Sequence, residues 1–238
     1  LEFVNKALFV NLDTPEPHIA RGDIYFAEKQ FVDARRVYYE TSKRFPNSHL
    51  PKMKLADVLR AGNEFEDAST VDDTIVSKDP AYADVYKQLA LTHADYARFK
   101  DDKALLQPGV DNYFKYHGMI GESMDVDNEL AAYLIKNKDY KALGDLVRTK
   151  WYTRGDNFFM YRYRAIADFQ NGKFLDAKEN INMYFDVQDK KDQLLPIDYL
   201  YKGLSELEAS RKEDGTFNEA VYKKSIDEMA KAVKENPK

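Results

Sequence analysis

The sequence predicts an all-α array of antiparallel helix pairs, and three observations support this fold class. Small and aromatic residues recur at a spacing of about 34 residues. Apolar side chains follow helical periodicity, and prolines stand near the repeat boundaries, where a helix must stop. The clearest copy is 20–46, in which two amphipathic helices are joined by a tight turn. A fixed period of this kind indicates a helical repeat array.

The small residues predict how each pair packs. A small residue lies near the middle of each predicted first helix, at Gly22, Ala56, Ala90, Ala131, Ala165 and Gly203. It would let the second helix approach closely, since interaxial distance depends on the side chains at the contact. The reciprocal positions on second helices hold Ala34, Ala68 and Ala177. Aromatic residues near the turns are expected to close the end of each pair, and these are Phe31, Phe65, Phe99, Tyr140 and Phe174.

In chain order, we expect a half repeat over 1–12 and then six helix pairs. The repeats lie near 15–48, 49–82, 83–121, 124–156, 157–191 and 196–238. The predicted helices are 16–28, 31–45, 49–62, 65–78, 81–98, 104–117, 124–137, 140–152, 157–171, 174–187, 196–212 and 217–235. The third and sixth pairs are lengthened, and all are expected to form one domain. We expect the chain to be a fragment of a longer protein, the alternative being that 1–12 is a natural cap.

The repeated unit resembles the tetratricopeptide repeat family. The first unit matches the family pattern at Gly22, Tyr25, Phe31, Ala34, Tyr38 and Pro46. The second matches at Leu55, Ala56, Leu59, Phe65, Ala68 and Pro80, and weaker matches cover nearly all of the remaining chain. The resemblance implies a right-handed superhelix with first helices lining a concave groove and second helices forming the convex side. An irregular helix bundle is the alternative, because small and aromatic residues at helical spacing occur there too.

Composition narrows the possible functions. The 238 residues carry a net charge of −5, and a nucleic-acid scaffold normally shows a basic surface. The sequence has no cysteine, which excludes disulfides and cysteine metal sites. No apolar run approaches the length of a membrane span. The tyrosine-, lysine- and asparagine-rich composition resembles that of envelope-associated repeat proteins of gut bacteria, which favours a periplasmic or cell-envelope location over the cytoplasm.

No motif points to catalysis. Histidines stand at 18, 49, 93 and 117, and none lies one helical turn from another metal-binding side chain. The sequence has no glycine-rich phosphate loop, no G-x-S-x-G and no H-E-x-x-H. We therefore predict a protein that is not an enzyme, with no catalytic residue, cofactor or metal site.

The resemblance places ten candidate partner-binding residues on the first helices. They are Phe26, Arg60, Lys87, Phe159, Arg162, Ile166, Phe169, Leu200, Leu204 and Leu207. The C-terminal part of this set is apolar, with Arg162 as its isolated cation. We expect it to hold a partner helix or extended peptide, with Arg162 meeting a carboxylate. The alternative is that 209–218, or a symmetry-related copy, covers this surface.

Three functions remain open. The leading hypothesis is a non-catalytic scaffold that presents a groove to a peptide or protein partner, with no nucleic acid and no membrane insertion. The second is an accessory module of a larger enzyme or signalling protein. The third is carbohydrate capture through Trp151, Phe158 and Phe159. The oligomeric state is left open.

Overall fold

The computed structural model describes residues 13–121, 123–149, 158–187 and 194–235. This part of the chain consists of α-helices, one short 3-10 helix and connecting turns, with no strand. The α-helices are α1 (Glu16–Ala27), α2 (Phe31–Arg44), α3 (Leu50–Ala61), α4 (Phe65–Lys78), α5 (Ala83–Lys100), α6 (Gln107–Ile120), α7 (Met124–Lys136), α8 (Tyr140–Thr149), α9 (Phe159–Gln170), α10 (Phe174–Val187), α11 (Pro196–Ala209) and α12 (Glu219–Glu235). The prediction of an all-α helical array is confirmed. The predicted half repeat over 1–12 and Trp151 lie outside the described residues.

Helices that follow one another in the chain pack together. Within pairs, contacts join α1 to α2, α3 to α4, α5 to α6, α9 to α10 and α11 to α12. Between neighbouring pairs, α2 contacts α3 and α10 contacts α11. The first helices of neighbouring pairs also contact each other: α3 contacts α5, and α9 contacts α11. The contacts group into two compact units, Leu1–Val126 and Asp127–Lys238. The assignment of all repeats to one domain stays a prediction.

The small residues lie where the helices of a pair come closest. A Cβ atom on Gly22 would lie 2.3 Å from Cε1 of Tyr38, and one on Gly203 would lie 2.6 Å from the Ser225 carbonyl oxygen. Both distances are too short for any larger residue without a shift of the backbone or the ring. The alanines at the equivalent positions are fully buried, and these are Ala56, Ala90, Ala131 and Ala165. The predicted packing role is confirmed.

Four of the helix pairs share one turn geometry. Lys29, Asn63, Lys138 and Gly172 all have left-handed backbone, with φ of 59°, 63°, 58° and 75°. In each case the next N–H donates to a carbonyl five residues earlier, at 2.8, 2.9, 2.9 and 2.8 Å in chain order. This hydrogen bond is the one that ends a helix in the Schellman motif. Only one of the four residues is glycine, so residue type alone does not mark the left-handed position of the predicted turn.

The third pair departs from the pattern and corrects one prediction. Its left-handed residue is Asp101, and the 3-10 helix Lys103–Leu106 follows before α6 begins. Phe99 therefore stays inside α5 and is 59% exposed, where it was expected to close the end of the pair. Phe31 is also exposed, whereas Phe65 is buried as predicted.

Candidate partner-binding surface

The first helices of the N-terminal unit are joined by ion pairs. Lys54 of α3 pairs with Asp23 of α1 at 2.9 Å. Arg60 of α3 pairs with Asp57 at 2.8 Å and reaches Asp95 of α5 at 3.5 Å. Arg60 was predicted to meet a partner, and the structure shows it linking two helices of its own unit.

Phe26 and Lys87 have contacts within the same unit. The ring of Phe26 is half-buried and lies 5.5 Å from that of Phe31, centroid to centroid. The Lys87 ammonium lies 5.2 Å from the ring centroid of Tyr116, which is a cation–π distance. These side chains therefore contribute to packing, and their role in partner binding stays a prediction.

Arg162 was expected to be an isolated cation, and this interpretation is wrong. Its Nε and Nη2 donate to Oδ1 and Oδ2 of Asp198, each at 2.6 Å, which makes a bidentate pair between α9 and α11. The guanidinium lies 4.7 Å from the ring of Tyr184 and 5.3 Å from that of Phe159. Arg162 is 7% exposed and cannot meet a partner's carboxylate. The next repeat supplies its counter-charge.

The electrostatics of the Arg162–Asp198 pair favour the charged form of the Arg162 guanidinium. Burial opposes a charge on the guanidinium, but the hydrogen bonds and the attraction of Asp198 outweigh it and raise the pKa of Arg162. Asp198 is held in place by the N–H of Leu195, which donates to its Oδ2 at 2.7 Å. Burial also raises the pKa of the Tyr184 hydroxyl, to about 12.

The remaining predicted residues of α9 are engaged inside the C-terminal unit. Ile166 is 2% exposed and belongs to the core, so its assignment to a partner-binding surface is wrong. The half-buried ring of Phe169 lies 5.3 Å from that of Phe174 and 5.5 Å from that of Tyr201. The first helix of the following pair covers this side of α9.

The equivalent side of α11 is the most accessible part of the predicted surface. It carries an apolar row, spaced by three and four residues on one side of the helix, which we call the α11 stripe: Ile197, Leu200, Leu204 and Leu207. Ile197 is 39% exposed and Leu200 is 36% exposed, while Leu204 and Leu207 are half-buried. Residues 209–218 were considered as a segment that could cover this surface, and they leave Ile197 and Leu200 accessible.

Asp72 is a buried titratable group that sequence reasoning missed. It lies on α4, is fully buried, and neither carboxylate oxygen has a hydrogen-bond partner among the described residues. Burial and the nearby Asp57 raise its pKa to about 8, against a smaller opposing effect of Arg60. The sequence did contain a signal, because Asp72 falls on the apolar side of α4 in helical register with Ala68 and Ile75.

No group of three or more histidine or acidic side chains is placed to hold a metal ion within the ranges given above. No helix among them combines the length and apolarity that are needed to cross a bilayer.

Comparisons with known proteins identify the fold. No family model matches the sequence, and no curated protein does. A tetratricopeptide repeat protein from Parabacteroides merdae is similar in structure, with 14% identity, a TM-score of 0.53, and coverage of 96% of this chain and 90% of that one. YrrB, described as a tetratricopeptide repeat protein with an unusual peptide-binding site, gives 14% identity, a TM-score of 0.50, and coverage of 84% and 92%. A chain of Naa15/Naa10 bound to HypK-THB gives 15% identity and a TM-score of 0.54 over 94% of this chain and 37% of its own. This chain has the fold of tetratricopeptide repeat proteins.

Proposed function

We propose that the protein is a non-catalytic interaction scaffold and that the α11 stripe receives an apolar side of a peptide or protein partner. The solved relative described as having a peptide-binding site supports the general function. The exposure of Ile197 and Leu200 supports the choice of this surface.

The difference between α9 and α11 carries this proposal. The four positions Phe159, Arg162, Ile166 and Phe169 of α9 correspond to the α11 stripe. On α9, Arg162 and Ile166 are buried, Phe159 and Phe169 are half-buried, and the one charge among the four is paired with Asp198. On α11 all four are apolar, and two keep more than a third of their surface in water. Burying the stripe against a partner would contribute roughly 25 cal/mol per Å² of apolar surface.

The test is a double variant, Ile197→Lys/Leu200→Lys, compared with Leu175→Lys as a matched control. Leu175 is an exposed leucine on α10, a second helix, so its substitution changes the same surface chemistry elsewhere. Proteins cross-linked to the wild type in lysate would be identified by mass spectrometry and remeasured with both variants. A partner kept by the control and lost by the double variant supports the proposal. A partner retained by the double variant contradicts it.

No observation favours the carbohydrate alternative. The ring of Phe159 lies 4.3 Å from that of Phe158 and also contacts the Arg162 guanidinium, so its face is occupied. The accessory-module hypothesis concerns a longer protein and makes the same prediction for the α11 stripe.

A further inference from the structure

An open cleft lies between the second helices of the first two pairs, in the compact unit that does not contain the α11 stripe. Its volume is about 490 Å³. It is lined by Arg35, Arg36 and Tyr39 from α2, Leu55 and Leu59 from α3, and Asp67, Thr70 and Val71 from α4. We call it the outer cleft. A cleft of this size, mostly apolar and with a few polar groups at its edge, is the usual form of a binding site.

The C-terminal unit contains a smaller cleft at the equivalent repeat positions, which gives an internal comparison. Its lining residues are Arg148, Arg164, Asp168, Asp176, Glu179 and Asn180, and its volume is about 180 Å³. By repeat position they correspond one to one with Tyr39, Leu55, Leu59, Asp67, Thr70 and Val71.

Four apolar residues of the outer cleft are thus replaced by polar ones in its counterpart. There Arg148 donates to Asp168, and Asn180 donates to the other oxygen of Asp168 at 3.1 Å. Arg148, Asp168 and Asn180 thus pair with one another in that cleft. Between the second and third pairs, the positions equivalent to Tyr39 and Leu59 are Asp73 and His93, which are also polar. Of these three junctions between pairs, the one that forms the outer cleft is the one with Tyr39 and Leu59 rather than acidic or basic side chains at both positions.

The two walls of the outer cleft differ in charge. The α2 wall carries Arg35 and Arg36, and Lys43 lies 5.3 Å from the Tyr39 ring on the same helix. The α4 wall carries Asp67. A carboxylate on a partner would be attracted to α2 and repelled by α4, which fixes the orientation of whatever binds.

The arginines of the α2 wall can exchange their present carboxylate partners for one from a bound protein. Arg35 pairs with Glu64 at 2.9 Å and Arg36 with Asp33 at 2.8 Å. Both pairs are solvent-exposed, and exposed pairs contribute at most about 1 kcal/mol. A carboxylate from a partner can therefore replace the present one at little cost.

We propose that the outer cleft binds a short amphipathic segment of a partner protein, with two or three apolar side chains between Tyr39 and Val71 and a carboxylate facing Arg35 and Arg36. The apolar floor supplies the affinity, and the charged wall selects an acidic neighbour on one side. This site is independent of the α11 stripe, so either proposal can fail without the other.

The probe is a phage-displayed library of random 16-residue peptides, selected on the wild-type protein. Binding of the enriched peptides is then measured by fluorescence anisotropy to the wild type and three variants. Tyr39→Arg/Val71→Asn introduces the residue types that stand at the equivalent positions, Arg148 and Asn180, in the smaller C-terminal cleft. Arg35→Glu/Arg36→Glu reverses the charge of the α2 wall. Val32→Lys changes an exposed residue of α2 outside the cleft and serves as the control. Circular dichroism confirms that each variant is folded.

The proposal expects enriched peptides with apolar residues next to aspartate or glutamate. They should bind the wild type and the Val32→Lys control equally, and both cleft variants at least tenfold more weakly. It is overturned if no enriched peptide depends on cleft residues, or if charge reversal strengthens binding. It is also overturned if 8-anilinonaphthalene-1-sulfonate binds in a cleft-dependent manner and no peptide does, since the site would then serve small apolar anions.

Discussion

Replacing Asp72 by asparagine should stabilise the protein at neutral and alkaline pH. The carboxyl group is fully buried on α4, with Asp57 and Arg60 of α3 and the adjacent Asp73 as the charged groups that act on it. Its pKa is raised from 3.8 to about 8, so the folded protein keeps it protonated at pH 7. Asparagine has the same shape and is neutral at every pH, so it removes the cost of holding the proton.

The magnitude follows from linkage. In the unfolded chain Asp72 ionises above about pH 4, while in the folded chain it stays protonated to about pH 8. Over this interval the unfolded state binds fewer protons, so the free energy of unfolding of the wild type falls as pH rises. Each pH unit within this interval lowers the free energy of unfolding of the wild type by about 1.4 kcal/mol. The difference between variant and wild type should be near zero at pH 3.5 and reach on the order of 5 kcal/mol above pH 8.

Urea unfolding followed by circular dichroism between pH 3.5 and 8.5 measures this difference directly. Asp67→Asn is the matched control, because Asp67 is an exposed aspartate of the same helix and is not among the charged groups that act on Asp72. It should shift the free energy of unfolding by less than about 0.5 kcal/mol. A difference between Asp72→Asn and wild type that stays constant across this pH range would refute the reasoning. A loss of stability at pH 8 would refute it as well.

Three further substitutions test the packing and the ion pairs. Asp198→Ala leaves the buried Arg162 guanidinium without its counter-charge and should lower the free energy of unfolding by about 3–5 kcal/mol, while the double variant Arg162→Met/Asp198→Ala should recover part of the loss. Gly22→Ala places a Cβ against a tyrosine ring and should cost about 1–3 kcal/mol, whereas Gly118→Ala, with open space around its Cβ, should not destabilise. Arg35→Ala removes an exposed ion pair and should change stability by less than about 1 kcal/mol. Urea titrations at pH 7 measure all three, and equal effects at Gly22 and Gly118 would contradict the close approach of α1 and α2.

The repeat pattern predicted the helices because one packing solution recurs along the chain. The small residues must be small wherever a second helix approaches, so their spacing reports the architecture directly. The start of α6 was also anticipated as a displacement in the third pair. The prediction that Phe99 closes the end of the third pair was wrong. Extra residues lengthen α5 before the turn, so the Phe99 side chain lies out of register with its predicted position.

The candidate site was less predictable, because exposure depends on what the next repeat places over a position. Arg162 and Leu200 occupy equivalent positions on α9 and α11, yet one is buried against Asp198 and the other is exposed. Sequence spacing gives the side of a helix and cannot give the pairing of charges across repeats. The same holds for Asp72, whose burial follows from packing between helices.

Substitution of the small residues tests the central claim, that helix pairs pack through these positions along the chain. Ala56→Leu and Ala165→Leu each force a larger side chain into a fully buried contact, while Ala132→Leu places the same side chain on an exposed helix surface. Thermal unfolding by circular dichroism should show midpoints several degrees lower for the first two, from about 1–3 kcal/mol of overpacking each. The midpoint for Ala132→Leu should be unchanged. Equal midpoints for all three variants would contradict the packing described here.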